Sequence, residues 1–237
     1  MPAKAISSNA TRCDAAASRS QPAWGLLFVL LATALAGFLD AVGYVELNHL
    51  YVSFMSGNST HFGMTLAVGD WADVARAGSI IGAFVAGCLA GTLVFDNAGR
   101  PLSVLLSTEI AVCLVAIGLS ALGRPIPALT LIAAAMGMQN VAHRNIAGTD
   151  AGKGFISGTL FDLGQALARL NTRPGGWRHA GVHALSWLSF IIGVACGALS
   201  IAHWHLVPSL ALACCVMFFM LVLVLVYGSS SDCRPPA

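Results

Sequence analysis

Long apolar blocks, separated by short polar breaks, fill most of the chain after residue 22. The first block runs from Trp24 to about Tyr44. The other seven blocks cover residues 51–69, 76–95, 102–122, 126–145, 153–170, 181–202 and 206–227. Runs of about 20 apolar residues are typical of helices that cross a lipid bilayer. The pattern therefore predicts an all-α polytopic membrane protein.

Two of these blocks, 51–69 and 153–170, differ from the rest because they carry Ser, Thr, Asn, Asp, Gln or His side chains. Such polar side chains make a segment a poor transmembrane span by itself. The other six blocks are apolar enough to cross alone. We therefore expect six long transmembrane helices and two shorter, polar Ser-Gly helices. The pattern leaves open whether the two short helices also cross.

The second half of the chain repeats features of the first half at a shift of about 100 residues. A stripe of small and polar residues with one spacing occurs twice, as Thr33, Gly37, Asp40 and Tyr44 and as Ala133, Gly137, Asn140 and Arg144. A Ser-Gly pair also recurs, at Ser56 and Gly57 and at Ser157 and Gly158. We therefore predict two membrane repeats, 23–122 and 123–228, between a disordered cytoplasmic tail at 1–22 and a short cytoplasmic tail at 229–237.

The glycines of the two repeats are predicted to act in helix packing or helix breaks. A GxxxG motif occurs once in each repeat, at Gly87 and Gly91 and at Gly193 and Gly197. This motif lets two helix backbones approach closely. Gly57 and Gly158 would permit a break that exposes backbone groups to a solute. The alternative is that glycine is simply common in membrane helices.

The basic residues indicate where the termini lie, but they leave the number of crossings open. The chain has 12 Lys plus Arg residues. If both polar blocks cross, the repeats are parallel and these residues divide as 9 cytoplasmic and 3 external. If neither crosses, the repeats are inverted and the division is 10 and 2. Both arrangements satisfy the positive-inside rule and place both termini in the cytoplasm.

The first apolar block has a second interpretation as a cleavable signal peptide. The basic tail before it and the run Ala34-Leu35-Ala36 imitate a cleavage site. The repeat argues against cleavage, because removal of this block would leave the block 126–145 without its counterpart. We expect the mature protein to begin upstream of Trp24.

Composition excludes several classes of function. Only 9% of the residues are charged, against about 25% in soluble domains. The net charge of +2 shows no basic excess for nucleic-acid binding. The 7 cysteines form no CxxC pair, and no Walker A, GxSxG, HExxH or GxGxxG element stands in a usable setting. We therefore expect no metal, no cofactor, no nucleic-acid partner and no enzymatic activity.

Several motifs carry a resemblance to a known family. The first half contains DAVGY at 40–44, VSFMSGN at 52–58 and GDW at 69–71, and the second half contains MGMQN at 136–140 and SGT at 157–159. In this order they resemble the YoaK-like family of uncharacterised bacterial transmembrane proteins. The resemblance covers nearly the whole chain after the tail. It implies an integral membrane protein of bacterial type and supplies no mechanism.

One carboxyl group is predicted to lie inside the membrane. Glu109 falls well inside the block 102–122, where an ionised carboxylate is costly unless it is paired or protonated. An ionisable residue in a membrane span is by default a candidate functional residue. We assign Glu109 to proton coupling, with helix packing as the alternative.

Polar side chains near the repeated motifs, neutral except for Asp40, are candidates for contact with a solute. They offer hydrogen-bond donors and acceptors suited to a small molecule. The predicted substrate-binding residues are Asp40, Ser56, Asn58, Gln139, Asn140, Ser157 and Thr159. Hydrogen bonding between helices is the alternative role for each of them.

Two hypotheses for the function follow from the sequence. The first is a small-solute permease of the bacterial inner membrane, including a proton-coupled one, because duplicated membrane units often hold a site where the halves meet. The second is a non-transporting membrane protein that assembles with a partner. Besides the lipid bilayer, the expected partners are an unknown small solute and, as an open alternative, a second copy of the chain.

Overall fold

The computed structural model describes residues 23–99, 101–151, 156–170 and 176–228, without the side chains of Ala23 and of residues 143–151. Within these ranges the chain is all helical and contains no strand. The described helices are α1 Ala23–Glu46, α2 Met55–Val68, α3 Trp71–Asn97, α4 Pro101–Ala121, α5 Pro125–Ala151, α6 Ile156–Ala168, α7 Gly176–Trp204 and α8 Leu206–Tyr227. The two predicted tails lie outside the described residues.

Six of the described helices, all except α2 and α6, are long and apolar enough to cross a membrane. Their outer faces carry large apolar side chains such as Leu89, Ile192 and Phe218, each more than half exposed. Apolar surface spread over whole helices in this way is suited to contact with lipid. The chain is therefore a multi-pass membrane protein, as the block pattern predicts.

The two polar blocks form helices too short to cross a bilayer by themselves. Helix α2 has 14 residues and α6 has 13, which at 1.5 Å per residue gives about 20 Å. The hydrocarbon core is about 30 Å thick. Helix α2 ends at Gly69, whose φ of 76° is the left-handed conformation that favours glycine. The next helix begins at once, because the Asp70 side chain accepts a hydrogen bond from the Asp73 backbone N–H at 3.2 Å.

Helices α1 and α7 run parallel in close contact. A Cβ at Gly193 would overlap the carbonyl oxygen of Ala34. One turn later, a Cβ at Gly197 would overlap the carbonyl oxygen of Phe38. The residue numbers rise together along both helices, so the two helices point in the same direction.

Helices α3 and α5 form a second parallel pair with the same kind of contact. A Cβ at Gly87 would overlap the carbonyl oxygen of Ala134. One turn later, a Cβ at Gly91 would lie 3.0 Å from the Cα of Met138. Both GxxxG motifs therefore act in helix packing, each against a helix of the other half of the chain.

Helices α4 and α8 run antiparallel. The Cys113 thiol lies 3.7 Å from the carbonyl oxygen of Leu210. Nearer the start of α4, Ser103 and Thr108 line a groove together with Leu221 and Leu225 of α8. The residue numbers of α8 therefore rise as those of α4 fall.

These directions decide between the two topologies that the sequence leaves open. Short connections at 98–100, at 122–124 and at His205 make α3 and α4, α4 and α5, and α7 and α8 antiparallel neighbours. Because α8 runs opposite to both α4 and α7, α4 runs in the same direction as α7 and therefore as α1. Helix α3 runs opposite to α4 and so opposite to α1. Helix α5 also runs opposite to α4 and so opposite to α7. The short helices α2 and α6 therefore begin and end on one side. This is the six-crossing arrangement.

Candidate functional site

Asp40 lies near the end of α1, where its carboxylate holds the loop that leads into α2. It is 2% exposed. One oxygen accepts hydrogen bonds from the backbone N–H groups of Val52 at 2.9 Å and Ser53 at 2.7 Å. The other oxygen accepts from the Ser53 hydroxyl at 2.7 Å. Backbone N–H groups before a helix start commonly bind an anion in this way, and here the carboxylate of the protein takes that place.

Asn58 closes the same loop from the side of α2. It is fully buried. Its amide donates to the carbonyl oxygen of Tyr51 at 2.7 Å and accepts from the Tyr51 backbone N–H at 2.8 Å. The hydrogen bonds of Asp40 and Asn58 are thus used within the segment 51–54. Contact of these two residues with a solute stays a prediction.

The predicted substrate-binding residues of the second half have different surroundings. The Asn140 amide donates to the carbonyl oxygen of Met136, one turn earlier on its own helix, at 2.9 Å. Ser157 is exposed and Thr159 is half-buried on α6. In the first half, Ser56 is exposed on α2. Among the described hydrogen bonds, none joins Asp40 to Asn140.

The two glycines expected at helix breaks lie within continuous helices. Gly57 is in the first turn of α2, and a Cβ there would come within 2.7 Å of the Phe54 ring and 3.0 Å of the Tyr51 ring. Gly158 is in the first turn of α6. The close approach at Gly57 favours a packing role for this residue.

Glu109 is the most unusual residue of the interior. It is 0% exposed, and neither carboxyl oxygen has a hydrogen-bond partner among the described residues. It lies 12 residues before the end of α4 at Ala121, about 18 Å along the helix and close to the middle of a span. Leu105 and Cys113, one turn to either side, are also 0% exposed. The carboxyl group therefore stands among apolar neighbours deep in the protein.

Gln139 on the neighbouring helix shares this condition. It is 4% exposed, and its side-chain nitrogen has no hydrogen-bond partner among the described residues. Helices α4 and α5 form an antiparallel hairpin around Gly123. Glu109 precedes Gly123 by 14 residues and Gln139 follows it by 16. The two side chains therefore lie at similar depth, within about 3 Å along the helix axes.

A cluster of rings and charges, which the sequence analysis does not single out, lies at the start of α2 and α3. The Tyr51 ring contacts those of Tyr44 and Phe54, with centroids 5.3 and 5.2 Å apart. Burial raises the pKa of the Tyr51 hydroxyl, and the nearby Tyr44 and Asp40 add to the increase. The phenol is therefore neutral at physiological pH. In the sequence, only the aromatic residues in and around VSFMSGN could have indicated this cluster. Aromatic residues at the end of a membrane span are equally typical of a membrane-interface belt.

An ion-pair cluster joins α2 to α3 beside these rings. The Asp73 carboxylate pairs with Arg76 one turn later and lies 3.6 Å from the His61 ring nitrogen. The Asn48 amide reaches the same carboxylate at 3.5 Å. Partly exposed ion pairs of this kind contribute little energy individually. Their arrangement fixes α2 against the start of α3.

The chain is similar to a known family and to a known transmembrane protein. The profile of a family described as "Protein of unknown function (DUF1275)" matches residues 28–224. The chain is also 31% identical over 201 residues to the UPF0700 transmembrane protein RA0705 of Rhizobium meliloti (strain 1021), covering 81% of this chain and 85% of that protein. No solved structure matches the chain.

Proposed function

We propose that this chain, which belongs to the DUF1275 family of proteins of unknown function, is a permease that carries a small solute across a bacterial inner membrane. The observation that carries the proposal is Glu109, a fully buried carboxyl group without a described hydrogen-bond partner in a transmembrane helix. Burying such a group costs stability. A protein that needed only stable packing would gain from an apolar residue there.

The arrangement of the helices supports a transport function. We infer that the two halves are inverted copies of one unit. In support, α1 of the first half packs on α7 of the second half, and in the same way α5 of the second half packs on α3 of the first half. A GxxxG motif lies at each of the two contacts. Short polar helices occupy corresponding places in both halves. Inverted repeats with unusual helices in matching positions are typical of secondary transporters, whose solute sites lie where the repeats meet.

The orientation follows from the basic residues in the six-crossing arrangement. With both termini in the cytoplasm, 10 of the 12 Lys and Arg residues fall on that side. The short helix α2 then lies at the external face and α6 at the cytoplasmic face. We propose in addition that the YoaK-like signature and the DUF1275 match describe the same group of proteins, and that the chain has no catalytic activity.

A second candidate function is a non-transporting protein that assembles with a partner, including another copy of itself. The observation that favours it is the use of Asp40 and Asn58 within the segment 51–54. These two residues, predicted to contact a solute, hold the loop before α2. A rigid loop in front of α2 is suited to a docking surface as well as to a permease.

Solute uptake into proteoliposomes, measured across a broad panel of small solutes, tests the permease. We expect uptake of one solute class that changes with an imposed pH gradient and is lost in the Glu109→Gln variant. Gln keeps the shape and the hydrogen-bonding capacity but cannot change charge. Glu109→Gln should melt in detergent like the wild type, whereas Glu109→Ala should lose about 1 to 3 kcal/mol because it leaves a cavity. Wild-type uptake by the Gln variant with unchanged pH dependence would remove proton coupling from Glu109.

A further inference from the structure

Within the part of the chain that the structure describes, one buried carboxyl group has no neighbouring group that balances its charge. Among the described residues, the buried polar side chains are Asp40, Asn58, Thr65, Glu109, Gln139, Ser200 and Ser209. None of them is basic. Asp40 receives hydrogen bonds from backbone N–H groups, as described above, and these stabilise its charge. Glu109 receives none from the described residues.

A single buried carboxyl group of this kind has two states of low energy. It is stable when it holds a proton, and it is stable as a carboxylate when a cation lies against it. The bare carboxylate is costly among apolar neighbours, and a proton and a cation cannot occupy the group together. The site is therefore suited to exchange one for the other.

The surroundings of Glu109 indicate which cation fits. Alkali and alkaline-earth ions take about six oxygen ligands, and this site offers the two Glu109 oxygens, with Gln139 at a similar depth on the neighbouring helix. The walls are apolar: Leu105, Leu106, Met136 and Met217 are at most 1% exposed. They come from α4 and from α5 and α8, each of which packs against α4. Such walls suit an ion that carries its charge on an apolar body.

We propose that Glu109 and Gln139 bind a small organic ammonium ion in exchange for a proton, an inference that rests on the proposed permease function. The protonated Glu109 carboxyl releases its proton when the ammonium ion binds, and the ion then pairs with the carboxylate. The Gln139 amide lies at the same depth and orients the ion or the carboxylate by hydrogen bonding. On the other side of the membrane the ion leaves and a proton returns. One positive charge is exchanged for another, so the buried group stays balanced throughout.

Proton release on binding tests this exchange directly. The full-length protein in detergent and weak buffer is titrated with tetramethylammonium, tetraethylammonium and benzyltrimethylammonium ions while a dye reports pH. These ions have no proton of their own, so each proton released comes from the protein. We expect about one proton per bound ion, and binding that weakens tenfold for each pH unit below the titration range of Glu109. Choline and its uncharged isostere 3,3-dimethylbutan-1-ol form a matched pair, of which only choline should release protons.

The variants assign the proton to one residue. The other titratable side chains described on α4 and the helices packed against it are the thiols of Cys88, Cys113, Cys214 and Cys215, then Asp73, Arg76 and Asp96 on α3 and Tyr227 on α8, with Arg124 just before α5. The side chains of residues 143–151 lie outside the described part of α5. The source of the released proton is therefore identified by the variants and not by the pH at which release occurs. Glu109→Gln should lose ion binding and proton release, and the exposed Asp96→Asn should keep both. Gln139→Leu should weaken binding at least several-fold while one proton per bound ion is still released.

Three results would overturn the proposal: no ion of the panel binds, an ion binds without proton release, or Glu109→Gln keeps both. If Glu109→Gln fails to fold, Glu109→Asp decides, because it keeps the carboxyl group and should keep proton release with weaker binding. The permease is judged separately. Glu109-dependent uptake of an uncharged solute, with no ion binding, would retain the permease and reject ammonium exchange. Ion-linked proton release without uptake of any solute would reject the permease.

Discussion

At the scale of single residues, the interior separates into polar groups that are satisfied and polar groups that are not. Asp40 and Asn58 are surrounded by donors and acceptors within hydrogen-bond distance, whereas Glu109 has none among the described residues. The sequence indicates that all three are unusual for a membrane span. It does not distinguish them, because the partners of Asp40 lie 12 to 14 residues away in a loop whose path depends on the fold.

The satisfied group yields a prediction about stability. Asp40→Ala should lower the free energy of unfolding by about 2 to 3 kcal/mol, since it leaves the N–H groups of Val52 and Ser53 buried without an acceptor. Asn140→Ala at the corresponding position should have little effect, because that amide bonds only to Met136 of its own helix among the described contacts. Thermal melting in detergent measures both. Equal loss in the two variants would show that Asp40 does not anchor the loop.

At the scale of helices, the hydrophobic pattern predicts the elements well. The six long spans and the two short polar helices all end within six residues of the bounds of their predicted blocks. The pattern does not predict which helix contacts which, because lipid and protein interiors are similarly apolar. The GxxxG motifs are the exception, since the absence of side chains marks a place where two backbones meet.

Glycine substitutions test this packing with internal controls. Gly87→Ala and Gly193→Ala should each destabilise the protein by about 1 to 3 kcal/mol or more, because the added methyl group overlaps a backbone carbonyl of the facing helix. Gly82→Ala and Gly181→Ala lie on the same two helices, where a Cβ meets nothing within 4 Å. These two should be neutral or stabilising by up to about 1 kcal/mol. The contrast is measured as the difference in melting temperature in detergent. Four variants with equal melting temperatures would contradict the close packing.

At the scale of the whole molecule, the proposed function depends on the inverted relation between the halves. Each half contains three crossing helices and one short helix. An odd number of crossings makes the second half enter the membrane from the opposite side. The charge count of the sequence is compatible with six and with eight crossings, and the directions of α4 and α8 favour six, the arrangement in which we propose that the halves are inverted. In the proposed permease, a short polar helix lies at each side of the membrane, in corresponding positions of the two halves.

Topology reporters fused after Gly69 and after Pro174 test this relation most directly. Gly69 follows α2, and Pro174 follows α6. Each fusion is made separately in the full-length chain in bacterial cells, with a reporter that is active on one side of the membrane only. The inverted, six-crossing arrangement predicts an external reporter after Gly69 and a cytoplasmic reporter after Pro174. Two cytoplasmic reporters would mean that both short helices cross and that the halves are parallel, which would contradict the inverted arrangement proposed for the permease.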